Sequence, residues 1–170
     1  GNKDNLFDKD YMFSGYYYRQ TLFGPQEGPF YSAVMFDTSN IGAKEIKEAA
    51  LYLSPQSRYS PSVEEENWTF EVLTNTIESA FPDPSFEQIE SAETSFTVDI
   101  KKSSELAGAD DRDRIEIPEN RLSKLKKNME DGNLIFRIKG PSNINYTNVR
   151  GWYSGHHVGS DEELFYGPQL

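Results

Sequence analysis

Residues 30–36 narrow the folds open to this chain more than any other segment. On an extended backbone Phe30, Ser32, Val34 and Phe36 point one way, and Tyr31, Ala33 and Met35 the other. Both sets are largely apolar, which places the strand deep in a sheet covered on both sides. A short corner, Asp37-Thr38-Ser39-Asn40-Ile41, leads on to a second extended run at 48–54. There Ala49, Leu51 and Leu53 share one face and Ala50 and Tyr52 the other. The segment 31–53 reads as strand, corner, strand, and carries no catalytic chemistry.

The period of two recurs along the chain. Trp68, Phe70 and Val72 alternate with Thr69 and Glu71, which makes Trp68 a core anchor. Phe96, Val98 and Ile100 alternate with Thr97 and Asp99, and Leu134, Phe136 and Ile138 with Ile135 and Arg137. Residues 11–20 read as a strand with a bulge at Gly15. The Gly24-Pro25-Gln26-Glu27-Gly28-Pro29 run is expected to be the turn that closes a hairpin on 30–36. Ile115 and Ile117 mark a short strand ending at Pro118, and 147–156 a strand near the end. Residues 75–94, with Pro82 and Pro84, read as a long irregular loop or functional element.

Only 119–132 has a helical pattern. Leu122, Leu125 and Met129 share one face, Lys124, Lys126 and Lys127 lie outside it, and Asn120 is placed to cap the start. Many short strands between Gly, Pro, Asn and Asp turns define the expected fold. It is all-β, an antiparallel, jelly-roll-like β-sandwich with one short helix near 120–130. Residues 1–10 form a lead-in and 11–170 a single domain. The opening Gly-Asn-Lys-Asp, without Met, suits one module of a longer protein.

Lys and Arg number 17 against 28 Asp and Glu, a formal charge of -11 that repels phosphate backbones and argues against nucleic acid. No apolar run approaches the roughly 20 residues that span a bilayer, so no membrane insertion is expected. With no cysteine, thiolate catalysis, thiolate metal sites and disulfides are excluded. No nucleophile elbow, phosphate loop or dinucleotide fingerprint occurs, and a non-enzymatic role is expected. His156 and His157 are neighbours on a strand and point to opposite faces, which does not suit a shared metal. The acidic run Asp110-Asp111-Arg112-Asp113 offers oxygen ligands of the kind calcium takes, opposed by Arg112 and without the spacing of a calcium loop.

The binding candidates are aromatic. Trp152 and Tyr153 point to opposite faces of their strand, so one ring is expected to leave the core and stack on a sugar, with Arg150 and His156 as donors. Tyr16 and Tyr18, in the cluster Tyr16-Tyr17-Tyr18-Arg19, form a second candidate surface, for ligand or for a neighbouring domain.

The order of elements resembles the DNRLRE-type modules, β-sandwiches akin to carbohydrate-binding modules. The resemblance rests on Phe36-Asp37, Ser39-Asn40-Ile41 and 46–53, then on 114–118, Leu122, Gly132 and 134–138. Trp152-Tyr153-Ser154-Gly155-His156 and the closing Pro168-Gln169-Leu170 complete it. The match departs at Ser154-Gly155-His156, which lacks the family's Arg-Glu pair. The resemblance implies a non-catalytic carbohydrate-binding or attachment module of a bacterial secreted or surface protein. Its partners would be a polysaccharide or cell-surface glycan and neighbouring domains of the same chain, and its location extracellular or at the cell surface. The Tyr-Ser-Gly strand and Pro-x-Leu ending also resemble what is expected of sandwich modules in phage and prophage tail or baseplate proteins. They imply the alternative, an assembly or adhesin module of a virion or surface structure that binds protein.

Overall fold

The computed structural model describes residues 11–41, 45–56, 65–81, 83–106, 111–142, 144–153 and 168–170. Among these residues eight strands run β1 (Tyr11–Thr21), β2 (Gly24–Asp37), β3 (Ala50–Leu53), β4 (Asn67–Leu73), β5 (Thr94–Lys102), β6 (Asp113–Glu116), β7 (Asn133–Lys139) and β8 (Asn148–Tyr153). Six of them form one sheet in the order β5-β4-β7-β2-β1-β8, and β3 pairs with β6 in a second. Every pairing is antiparallel. The fold is the expected all-β, sandwich-like one.

The long strand β2 serves two neighbours in succession. Its residues 24–30 pair with β1 and its residues 31–37 with β7. The sheet curls there and returns to the small sheet through the segment after β3. Tyr153 N donates to Ser54 O at 3.0 Å and Gln56 N to Gly151 O at 2.9 Å. Between the layers lie Leu51, Leu53, Trp68, Phe70, Phe136 and Trp152, all fully buried. Trp68 is thus the core anchor its alternation indicates.

The helix near 120–130 is α2 (Leu122–Met129), which contributes Leu122, Leu125 and Met129 to the core. Asn120 does not cap it. A 3₁₀ turn, Glu119–Arg121, precedes it, the cap position is Arg121, and no side chain closes it. Against β8 the register runs through Gly15 without the expected bulge, and the pairing of β1 with β2 ends at Gly15. The irregularities fall between β4 and β5 instead, at Phe70/Glu71 and Val72/Leu73.

Within 75–94, residues 75–80 and 86–91 are helical rather than an irregular loop. A 3₁₀ turn (Asn75–Ala80) and a second helix, α1 (Phe86–Ser91), lie over the outer face of the large sheet. Ile77 and Ala92 bury Leu73 and Ile135 there. A capping box starts α1: Ser85 Oγ accepts from Gln88 N at 3.2 Å, and Gln88 Oε1 from Ser85 N at 2.7 Å. Arg137 fastens its end. Nη1 donates to the carbonyls of Ile89, Glu90 and Ala92 at 2.6, 3.0 and 3.1 Å, and Nη2 to Thr94 Oγ1 at 2.7 Å. Nε donates to Glu71 at 2.8 Å, and Lys139 meets the same carboxylate at 2.9 Å. An arginine on the outer face of β7 is therefore interior, because a helix covers it.

Candidate functional site

The sequence-derived candidates divide between the two faces of the wing made by β8, β1 and the first half of β2. Asn148, Arg150 and Trp152 alternate inward on β8, with exposures of 1%, 2% and 0%. Trp152 Nε1 donates to Asp113 Oδ2 at 2.6 Å, and Arg150 Nη2 donates to the same oxygen at 3.1 Å. The Arg150 guanidinium lies 5.9 Å from the centre of the Trp152 ring. Asp113 stands on β6, so this trio ties the small sheet to the large one through the core. Trp152 and Arg150, expected to stack on and hydrogen-bond a sugar, are enclosed structural groups in this arrangement. Asp113 is spoken for as well, and its carboxylate faces the core rather than a calcium loop. Asp110 and His156 lie outside the described residues. Among the described residues no three His, Cys, Asp or Glu side chains cluster as a metal site.

Tyr16 shares the inward face and is buried, at 6% exposure. Burial first, then the charge and hydrogen bond of Glu27, raise its pKa above 10.0. Tyr18, half-buried, donates its hydroxyl to Gln20 Oε1 at 3.1 Å. Thr147 Oγ1 accepts from Tyr18 N at 3.0 Å and donates to Tyr18 O at 2.7 Å, adding one side-chain rung to the β1–β8 ladder.

The opposite face of the wing is different. Directly paired residues share a face, so the registers line up four rows. Tyr153 stands in one, Phe13 beside Gly151 in the next, Phe30 and Val149 flanking Gly15 in the third, and Tyr17 beside Gly28 in the last. Phe13, Tyr17, Phe30, Val149 and Tyr153 are all half-buried. Glycine opposite Phe13, Phe30 and Tyr17 leaves low ground between rings. At Gly15 the glycine is obligatory: its φ is +129°, and a Cβ there would stand 2.1 Å from Asn148 O.

The hairpin turn is not at 24–29. It is Leu22-Phe23, and 24–29 belongs to β2. Pro25 and Pro29 are accommodated because this half of β2 has no second neighbour among the described residues, so an edge N–H is not needed. Leu22 and Phe23 are 99% and 101% exposed. Thr21 holds the turn, its Oγ1 donating to Gly24 O at 2.6 Å and accepting from Phe23 N at 3.2 Å. Three cross-strand pairs, Arg19–Gln26, Gln20–Pro25 and Thr21–Gly24, carry this tip beyond the Thr147 rung, roughly 10 Å at ~3.4 Å per residue. Sequence reasoning passes over the pair because Gly and Pro dominate the neighbouring turn signal. An apolar dipeptide between Thr and Gly is the trace it leaves.

No helix among the described residues is long and apolar enough to cross a membrane. No protein-family model matches the chain, and no curated protein matches it either.

Proposed function

We propose that this chain is a non-catalytic attachment module that binds carbohydrate through the outer face of its β2-β1-β8 wing. The observation that carries the reading is the alignment of Phe13, Tyr17, Phe30 and Tyr153 on one face, with Gly15, Gly28 and Gly151 between them. Flat rings on a rigid sheet stack on the C–H face of a sugar at small entropic cost, and the tyrosine hydroxyls add directional bonds. Of the two adjacent aromatic residues on β8, Tyr153 is the ligand-facing one and Trp152 the anchor behind it. The same surface on a bacterial secreted or cell-surface protein would hold a neighbouring domain close to its glycan, as the likeness to DNRLRE-type modules suggests.

A polysaccharide array probed with the chain, with and without calcium, tests this. Binding is expected, with Tyr17→Ala and Tyr153→Ala each weakening it about tenfold or more while the melting temperature stays near wild type. An array without a binder under both conditions discards the reading.

One observation favours the second reading, an assembly module of a phage tail, baseplate or adhesin. It is the bare apolar tip at Leu22-Phe23, which a sugar-binding face does not require. On that reading light scattering shows a defined complex with a protein partner and the array stays blank.

A further inference from the structure

We propose that the β1–β2 hairpin is a docking prong whose Leu22-Phe23 tip seats in an apolar socket, rimmed by basic side chains, on a protein partner. The inference deepens the attachment reading but does not depend on sugar binding.

The tip violates what a two-residue turn ordinarily carries. Such turns are polar or glycine-rich because they face water on all sides. Here a leucine and a phenylalanine take both positions at full exposure. Single exposed apolar residues are common and need no explanation. Two adjacent ones at the end of an arm are a different case, because the arm is built to present them. Thr21 pins the turn through two hydrogen bonds, and Gly24 relieves it at φ +105°. Tyr18 and Gln20 are hydrogen-bonded along one face of the arm. Pro25 and Pro29 remove donors from the edge that has no strand neighbour among the described residues, which discourages pairing with a stray strand. The arm is thus guarded along its side and apolar only at its end, the form of a knob that enters a pocket.

Charge selects the partner. The arm's own charges near the tip, Arg19 and Glu27, cancel, while the whole chain carries -11. That field repels anionic lipid and a second copy of the chain, and draws a basic protein surface. Aromatic anchors in closed pockets dominate the energy of such contacts, with the surrounding charges governing encounter. The occupant is therefore a protein whose apolar recess lies among Lys and Arg.

The test uses the full chain with a benzophenone amino acid at position 23, irradiated in an extract of its native cells. A control carries the same group at Ile100, which is 57% exposed on β5. The expected result is one cross-linked protein from position 23 and not from position 100. Its adduct maps to an apolar recess bordered by Lys or Arg. Purified, that protein binds the unlabelled chain, with at least about 30-fold loss for Leu22→Ser/Phe23→Ser and weaker association at high salt. A self-adduct, or cross-linking to phosphatidylcholine or phosphatidylglycerol vesicles, overturns the proposal. So does an absent adduct, one shared with position 100, or an affinity unmoved by the double substitution. A blank polysaccharide array leaves these outcomes untouched, and a positive array does not rescue a failed cross-link.

Discussion

The two halves of β2 share one backbone and live in different surroundings. Residues 31–37 pair with β7, with Ser32 and Ala33 buried and the α1 segment over the outer face. Residues 24–30 have β1 alone as a partner among the described residues, hold two prolines, and end in water. The first is a load shared by many contacts, and its substitutions register as stability. The second is half-buried or exposed along its length, and its substitutions register in binding.

Arg137→Ala breaks the buried half hardest. Arg137 stands opposite Ala33 and joins β7 to Glu71 and to the end of α1. Removing it strips three carbonyls of their guanidinium donor and leaves Glu71 only Lys139, a charge that is partly exposed. Stability in urea should fall by about 3–5 kcal/mol. A drop under 1 kcal/mol would show that α1 contributes little to the fold.

The junction of the two halves comes next. Gly15 pairs with Phe30 just before β2 changes neighbours, and Gly140 packs on its backbone. A Cβ at Gly140 would stand 2.3 Å from Gly15 Cα and 3.1 Å from Trp68 Nε1, a buried donor without an acceptor among the described residues. Backbone, not a flexible side chain, has to yield. Gly140→Ala should cost about 1–3 kcal/mol and shift tryptophan fluorescence; an unchanged denaturation curve would mean the wing is free to move off the body.

Ser85→Ala removes one arm of the capping box that starts the cover over β2's buried half. About 1 kcal/mol is the expected loss in the same denaturation assay, with restoration by Ser85→Asp.

β4, β5 and β7 are legible because one apolar face repeats at period two, and α2 because Leu122, Leu125 and Met129 repeat at helical spacing. Period two shows that Trp152 and Tyr153 face apart, but not which side is the interior; Asp113, 39 residues away, decides that. Arg137 looks outward for the same reason, since only the helix at 86–91 makes its side an inside. That helix is announced by Ser85-x-x-Gln88, a signal outweighed by two nearby prolines. At the hairpin the glycines and prolines of 24–29 imitate a turn, whereas they are an edge strand that needs no second partner.

Alkaline pH separates the halves by a smaller effect. Tyr16 in the arm and Tyr31 in the body both have pKa values above the ordinary 10.0, in each case chiefly through burial. A raised pKa means the unfolded chain ionises first, so stability is full below about pH 10 and falls as pH rises through the folded values. Tyr16→Phe and Tyr31→Phe should each flatten part of that decline in pH-dependent melting. If neither does, the two phenols titrate alike in folded and unfolded chain.

The smallest stability effect is expected at the tip. Leu22 and Phe23 have no surface to lose on unfolding, being as exposed folded as in an extended chain. Leu22→Ser/Phe23→Ser should therefore stay within about 0.5 kcal/mol of wild type, against several for Arg137→Ala on β7, opposite the buried half of β2. Thr21→Val is the sharper partner experiment. It keeps the apolar tip and removes both hydrogen bonds that hold it. If the prong must be rigid to dock, Thr21→Val weakens partner binding with the apolar residues still in place. If affinity is unchanged, the tip docks by composition alone, and the pinned turn belongs to the hairpin's folding rather than to recognition.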